Sequence, residues 1–179
     1  MALIDRPWPR AAAVPAAFET LFRAEFARVV RVAYRVLGDQ AEAEDVAQEV
    51  FLAFYRSHPA DAPYAAPWLH RAAAHAALNA VRSRTRRNAR DAQHAAARDA
   101  VGAAQDPESA ALERERGREV REALARMPRA AAEILALRYS GLSYAEFAAA
   151  TNTKLDQIGT RLRRAHDAFR MEVSRGQHR

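Results

Sequence analysis

The chain has 179 residues, of which 50% are hydrophobic and 8% aromatic, and it carries a formal net charge of +6 and no cysteine. These values suit one ordinary domain or two small ones, and they exclude disulfides, cysteine zinc sites and thiol redox sensing within the chain. No apolar run approaches the roughly 20 residues of a membrane span, and Asp5 and three prolines interrupt the start where a signal peptide would be apolar. We therefore expect a cytoplasmic protein with no membrane insertion and a loosely ordered leader over residues 1–15.

Alanine is abundant and β-branched residues are sparse, which predicts an all-α protein. Apolar residues recur every three or four positions from Ala16 to Leu37, and Gly38 follows as a cap. A second helix is predicted from about Ala41 to just before Pro59. Its apolar side holds Val46, Val50, Phe51, Phe54 and Tyr55, and its other side holds Glu44, Asp45, Gln48 and Glu49.

Residues 58–66 contain two prolines and short polar side chains, which predicts an irregular loop. A third helix is predicted from Pro67, with Trp68 packing inward at its first turn. This helix ends in five arginines within residues 82–90, a segment without acidic residues. Residues 89–110 lose the apolar periodicity and turn acidic, which predicts a linker whose first half could be a frayed helix. Two small helical domains follow from this pattern, over residues 16–88 and 111–175.

The second domain begins with a helix closed by Pro128, with Leu112, Val120 and Leu124 as its apolar positions, and a further helix follows. Ser143 and Glu146 then have the spacing of a capping box, so a short helix is predicted there. It ends near residues 151–153, where Asn152 can adopt the left-handed conformation. The last helix is predicted to bury Ile158, Leu162, Ala165 and Phe169.

Two short helices across a tight turn, the second basic on its outer face, form the plan of a helix-turn-helix. Gln157, Thr160, Arg161 and Arg164 lie away from the apolar stripe and could reach base edges and phosphates. A solvated basic face is the alternative for any arginine-rich helix alone. The capped helix that precedes it favours DNA binding.

Five blocks of this chain resemble regions 2 and 4 of the extracytoplasmic-function (ECF) sigma factors, small initiation subunits of bacterial RNA polymerase. The blocks are FETLFRAEF, LGDQAEAEDVAQEVFLAFY, PWLHRAAAHAALNAVR, ALRYSGLSYAEFA and IGTRLRRA, in the order of the family. The resemblance covers nearly the whole chain outside the leader and the linker. It implies two helical domains, a polymerase core partner, promoter DNA as duplex and as non-template strand, and an anti-sigma protein as a candidate partner.

The resemblance assigns polymerase docking to the second helix. Asp45, Gln48 and Glu49 would face a basic coiled coil of the polymerase, while Val46, Val50 and Phe51 hold the helix on its own domain. An ordinary acidic outer face is the alternative, and the residues alone favour that alternative. Charge complementarity at such a surface mainly speeds docking and selects the partner.

The resemblance assigns the downstream promoter element to the third helix and the loop before it. Tyr64 is the candidate for stacking on an unpaired base, because aromatic rings stack on bases with little sequence preference. Candidates for duplex and phosphate contact are Arg71, His75, Asn79 and Arg82. In the second domain Tyr144 joins Gln157, Thr160, Arg161 and Arg164 as candidates for the upstream element.

This sequence departs from the family pattern at several DNA-facing positions. His75 stands where asparagine is common, Gly159 where lysine is common, and Lys154 at the usual serine cap, so Thr153 is expected to cap the last helix instead. Gly159 lowers helix propensity by about 1 kcal/mol and permits close backbone approach. Promoter sequence therefore does not follow from these residues.

Other functions are weighed against this interpretation. A freestanding helix-turn-helix regulator would bind duplex alone, normally as a dimer, and a sigma-like decoy would bind an anti-sigma protein without touching DNA. An enzyme acting on nucleic acid is the weakest alternative, since no residue set offers a general base with a partner. The six histidines have no zinc-like spacing and no Gly-rich phosphate loop occurs, so neither a metal nor a cofactor is expected.

Overall fold

A computed structural model describes residues 14–94 and 107–177, with side chains described over residues 14–90 and 115–176. Within these ranges the chain is helical and contains no strand, which confirms the all-α fold. The helices are α1 Ala16–Leu37, α2 Gln40–Ser57, α3 Ala65–His94, α4 Pro107–Arg126, α5 Arg129–Tyr139, α6 Tyr144–Thr151 and α7 Ile158–Gln177, with one 3-10 turn at Leu155–Gln157. None of them is both long enough and apolar enough to cross a lipid bilayer.

Helices α1, α2 and α3 form the amino-terminal bundle. Gly38 ends α1 at φ 70°, a left-handed conformation that glycine adopts without steric penalty, and its N–H donates to Tyr34. The side chain of Asp39 accepts a hydrogen bond from the backbone of Glu42 and so caps α2. The chain therefore turns from α1 to α2 within two residues, which sets the two helices side by side.

A polar pair lies inside this bundle, between α1 and α3. His70 is 1% exposed, and its Nε2 lies 2.8 Å from the Oε2 of Glu25. The Nδ1 of His70 is buried without a hydrogen-bond partner among the described residues. Burial lowers the pKa of His70 below its ordinary value of 6.5, although the hydrogen bond to Glu25 opposes the shift. The folded state therefore favours a neutral imidazole.

Because His70 is buried, we expect the stability of the fold to depend on pH. Because the pKa of His70 is lower in the folded than in the unfolded state, the unfolded chain binds the proton more readily. The contribution of the neutral His70 to the free energy of unfolding is complete above pH 6.5, and it is lost as the pH falls below that value. We expect the urea midpoint to drop between about pH 7.5 and about pH 5.5, and His70→Gln, which keeps a donor but does not titrate, to flatten that slope. An equal slope in the variant and the parent would assign the effect to other groups.

Helices α4 to α7 form the carboxy-terminal bundle. Leu137, Phe147 and Ile158 are its most buried large side chains. Pro128 stands directly before α5, where its fixed φ suits a helix start. Val120, predicted on the apolar side of α4, is instead 41% exposed. Leu112 lies outside the described side chains.

The two bundles pack against each other. Helix α3 contacts α4, α5 and α6, and α1 contacts α5, so buried residues of both bundles join one hydrophobic cluster. Helix α3 continues to His94 and α4 begins at Pro107, so both helices extend into the segment predicted as a linker. Residues 95–106 and the leader up to residue 13 lie outside the described residues.

Candidate nucleic-acid and protein-binding surfaces

The acidic face of α2 is exposed and largely unpaired. Asp45, Gln48 and Glu49 are exposed, and none of the three has a side-chain hydrogen bond or an ion pair to another described residue. Glu44, by contrast, accepts a 2.6 Å hydrogen bond from Gln40. The face therefore presents two carboxylates and one amide that the fold itself does not use.

The apolar side of α2 holds this face in place. Val46 is 9% exposed and Phe51 is 2% exposed, so both contact their own bundle. Phe51 lies among three phenylalanines of α1, with ring centres 6.1, 4.9 and 6.0 Å from those of Phe18, Phe22 and Phe26. The contacts with Phe18 and Phe22 are edge-on, a geometry that aromatic pairs favour, and all three hold α2 against α1. Val46 and Phe51 thus orient the acidic residues rather than reach a partner themselves.

Helix α3 places its candidate DNA residues along one face. Arg71 and Asn79 are exposed, while His75 and Arg82 are half-buried. Asn79 accepts a 2.8 Å hydrogen bond from Arg129, and Arg82 donates a 2.9 Å bond to the backbone carbonyl of Met127. The candidate face therefore meets the start of α5 along part of its length.

The loop before α3 presents an aromatic side chain. Tyr64 is 48% exposed, and its ring centre lies 5.8 Å from that of His58. His58 in turn lies 4.7 Å from Trp68, which packs on Phe54 at 5.4 Å. Trp68 is half-buried against the core, which confirms the prediction that it packs inward. The helix begins two residues earlier than predicted, at Ala65, so Pro67 occupies its third position.

The helix-turn-helix has the predicted local chemistry. The side chain of Ser143 accepts from the backbone of Glu146, and the Glu146 carboxylate accepts from the backbone N–H of Ser143, which confirms the capping box. These bonds and Arg28 lower the pKa of Glu146 to about 2. Asn152 ends α6 at φ 48° and ψ 50°, the predicted left-handed conformation. Tyr144 is exposed at the start of α6, with the guanidinium carbon of Arg138 5.4 Å from its ring centre.

Helix α7 separates a buried from an exposed face. Ile158, Leu162 and Ala165 are buried, and Phe169 is partly buried against them. The candidate reading residues Thr160, Arg161 and Arg164 of α7 are exposed, and so is Gln157, which lies in the preceding 3-10 turn rather than on the helix. A Cβ built at Gly159 would meet no described atom within 4 Å, so this position points into open space.

The expected cap at Thr153 is wrong. Thr153 is 7% exposed, and its hydroxyl donates to the carbonyl of Thr151 while accepting a 2.8 Å bond from Arg161. Lys154 is the residue before the 3-10 turn, without a side-chain cap. The hydroxyl of Thr153 therefore ties Arg161 to the turn instead of closing the helix.

Both helical bundles resemble known proteins in sequence. Models of Sigma-70 region 2 and Sigma-70, region 4 match residues 21–87 and 117–166. The RNA polymerase sigma-H factor of Pseudomonas aeruginosa is 30% identical over 163 residues, which are 86% of this chain and 84% of that relative. The ECF RNA polymerase sigma factor SigE of Mycolicibacterium smegmatis is 32% identical over 165 residues. The chain belongs to the ECF group of the sigma-70 family.

This ECF sigma chain spans only part of one relative. The match to SigE covers 89% of the chain but 62% of SigE, or about three-fifths of its length. A solved structure of CnrH, in complex with the cytosolic domain of CnrY, superposes with a TM-score of 0.50 at 19% identity, covering 88% of this chain and 87% of CnrH. That likeness agrees with the helical fold. The matches over residues 21–87 and 117–166 identify the amino-terminal bundle as region 2 and the carboxy-terminal bundle as region 4.

Sequence reasoning missed the polar residues that join regions 2 and 4. Arg28 of α1 donates to Glu146, the residue that completes the capping box of α6, and it lies 3.7 Å from Glu25. Glu25 interrupts the apolar stripe of α1, between Phe22 and Val29. A carboxylate at such a position is almost never buried without a partner. Glu25 was therefore the feature of the sequence that indicated a polar contact here. Arg129, at the start of α5, carried no comparable sign.

Proposed function

We propose that this protein is a non-enzymatic initiation subunit that confers promoter recognition and DNA opening on bacterial RNA polymerase in the cytoplasm. The observation that carries the proposal is the unpaired acidic face of α2 at Asp45, Gln48 and Glu49, on a chain whose DNA-facing candidates include four arginines and no acidic residue. Such a face repels phosphates and suits a basic protein surface. Recruitment and DNA reading are therefore assigned to separate surfaces.

Region 4 supports the assignment of the upstream promoter element. Helix α7 presents Thr160, Arg161 and Arg164 outward while its apolar residues hold it in the bundle. Arginine can donate two hydrogen bonds to guanine in the major groove or bind phosphate. The capping box and the left-handed Asn152 fix the angle at which α7 leaves α6. The face is therefore preorganised for a groove.

Region 2 supports the downstream assignment. Tyr64 offers an exposed ring for an unpaired base, and Arg71 and Asn79 follow it along α3. Stacking of one base on a ring contributes about 1–3 kcal/mol. The same surfaces would suit a sequestering anti-sigma protein, which we propose as a further partner.

The experiment that tests this function uses purified core polymerase. The subunit should be retained by core enzyme, and adding it should direct transcription from discrete start sites whose footprints give both promoter elements. Tight binding to duplex without polymerase would instead support a freestanding regulator. Binding to core enzyme with no start-site selection would support the alternative of a sigma-like decoy, which does not touch DNA.

A further inference from the structure

The end of α3 and the second half of α4 enclose a cleft of about 370 Å³ in which arginine is the most frequent residue. Helix α3 contributes Arg84, and α4 contributes Arg118, Arg121 and Arg126. Glu122 is the one carboxylate among the described residues that line the cleft. A volume of this size lies at the lower end of the range of small-ligand sites. The cleft therefore suits an anion of small-molecule size.

Arg121 is the arginine of this cleft that the fold leaves without a counter-ion. Each of the other three pairs with a carboxylate: Arg84 with Glu42, Arg118 with Glu115, and Arg126 with both Glu122 and Glu172. The side chain of Arg121 is half-buried and has neither an ion pair nor a hydrogen bond to another described residue. A guanidinium in this position loses part of its hydration without gaining a partner, so it favours the approach of an anion.

Two glycines make room for the Arg121 guanidinium. A Cβ built at Gly38 would lie 2.8 Å from its Nη1, and a Cβ built at Gly117 would lie 3.0 Å from the same atom. Gly38 is already required by the left-handed turn after α1, but Gly117 lies inside α4, where glycine is a poorer helix former than alanine. Packing therefore holds this guanidinium in place without a salt bridge, and it stays available to a ligand.

The ion pairs beside Arg121 are exposed and can exchange their carboxylates. The side chains of Arg84 and Glu42 are 36% and 46% exposed, and those of Arg118 and Glu115 are 64% and 48% exposed. Surface pairs of this kind contribute little to stability, so a phosphate oxygen can replace either carboxylate at small cost. Arg118 and Arg121 are three residues apart on α4, which places them on one face of the helix. Three guanidinium groups from two helices can therefore bind one ligand.

The wall formed by α3 adds a neutral donor. The side-chain amide of Asn88 is exposed, lines the cleft and has no hydrogen bond to another described residue. The hydroxyl of Thr85, one turn earlier, already donates to the carbonyl of Val81 at 3.1 Å. Asn88 is therefore the group on this wall that is free to donate to an anion.

We propose that the cleft between α3 and α4 binds a diphosphate group, with Arg121 as its fixed donor and Arg84, Arg118 and Asn88 as further donors. One guanidinium binds two phosphate oxygens side by side, so several of them suit the outer oxygens of a diphosphate better than those of a single phosphate. Free pyrophosphate and a nucleoside diphosphate share this chemistry. The inference goes beyond the initiation function, because it uses neither the acidic face of α2 nor the outward face of α7.

Calorimetric titration of the full chain with inorganic pyrophosphate, in magnesium-free buffer at physiological ionic strength, tests the proposal. The parent chain should bind at one saturable site. Arg121→Gln, which nearly keeps the length of the side chain and removes its charge, should lower the affinity about tenfold or more. Arg116→Gln makes the same change at an exposed position of α4 that does not line the cleft, and it should bind like the parent. Equal losses in the two variants would overturn the proposal, because they would indicate attraction to net charge alone.

Gly117→Ala separates the position of the Arg121 guanidinium from its charge. The added methyl group would meet Nη1 at 3.0 Å and displace it, while the net charge is unchanged and the helix propensity of α4 rises. Pyrophosphate affinity should therefore fall about threefold or more. Gly159→Ala, which meets no described atom within 4 Å, is the matched control and should bind like the parent. Unchanged affinity in Gly117→Ala would overturn the assignment of Arg121 as a donor fixed by packing.

A purely structural role of Arg121 predicts a different result. Its guanidinium lies beside Gly38 at the carboxyl end of α1, where the helix dipole favours a cation. With that role alone, Arg121→Gln would lower the urea midpoint and leave the pyrophosphate affinity unchanged, which would overturn the proposal. A bound ligand instead stabilises the folded chain, so added pyrophosphate should raise the urea midpoint of the parent and raise that of Arg121→Gln much less.

Titrations with GDP and with a DNA duplex of mixed sequence identify the source of the phosphate groups. Tighter binding of GDP than of pyrophosphate would assign the cleft to a nucleotide, and equal or weaker binding would assign it to free pyrophosphate; both results support the proposal. Failure of pyrophosphate and GDP to bind saturably would overturn it. If Arg121→Gln then weakens duplex binding about tenfold, the cleft is instead a contact for the backbone of a nucleic acid.

Discussion

Replacing Asp45 and Glu49 together by lysine is expected to abolish binding to core polymerase while the fold stays intact. Both side chains are exposed and have no partner among the described residues, so their loss removes no intramolecular bond. Against a basic partner, the reversal turns two attractions into two repulsions, each of which costs several kcal/mol. We therefore expect the affinity to fall by at least about 100-fold in a pull-down or an anisotropy titration.

A matched variant controls for net charge in the docking experiment. Glu19→Lys with Asp167→Lys makes the same charge change at two exposed sites outside α2, each paired only with an arginine one turn away. This control should bind core polymerase like the parent. Equal loss in both variants, or unchanged transcription with the Asp45 and Glu49 reversal, would refute the docking assignment.

Replacing Arg161 and Arg164 by alanine is expected to reduce promoter-dependent transcription by about 10- to 100-fold. A well-placed arginine contributes about 1–3 kcal/mol of base discrimination, and loss of a phosphate contact also weakens binding. Arg164 has no ion pair among the described residues, whereas Arg161 is bonded to Thr153. Arg164→Ala alone should therefore leave stability unchanged, and any cost in stability should come from Arg161.

The control for the recognition helix lies on the same helix. Arg170→Ala removes one exposed arginine that pairs with Asp167, three residues before it. It should retain promoter-dependent transcription, and its binding to core polymerase should match that of Arg164→Ala. Transcription that falls equally in Arg164→Ala and Arg170→Ala would indicate a general loss of charge rather than a loss of reading.

The best sequence predictions depended on local chemistry. Helix α1 has the predicted bounds, and Gly38, the Ser143–Glu146 capping box and Asn152 adopt the predicted geometry. Each of these features is set by a few neighbouring residues, so periodicity and cap spacing suffice to find it. The family resemblance, carried by five motif blocks, is confirmed by the matches to regions 2 and 4.

Predictions were weaker where helices lack an apolar stripe. Helix α3 runs through the arginine-rich stretch as predicted but continues to His94, and α4 begins at Pro107 rather than near residue 111. Alanine and arginine are strong helix formers, so a polar segment continues a helix that packing has already nucleated. Apolar periodicity cannot mark the end of such a segment.

The contact between regions 2 and 4 could not be predicted from local sequence patterns. Arg28 and Glu146 are 118 positions apart, and Asn79 and Arg129 are 50 apart. Neither pair has a spacing rule, because the pairing depends on how two finished bundles meet. The roles of the DNA-facing and docking residues remain predictions, which the experiments above test.

Gly159 leaves open space on the outward side of α7. The space that a Cβ would occupy is open, so alanine fits there without displacing a neighbouring side chain and would stabilise the helix by about 1 kcal/mol at most. If α7 enters the groove as proposed, replacing this glycine adds a side chain on the side that faces DNA without repacking the bundle. Duplicated copies of such a gene would then be able to diverge in promoter choice at this site while keeping one polymerase in common.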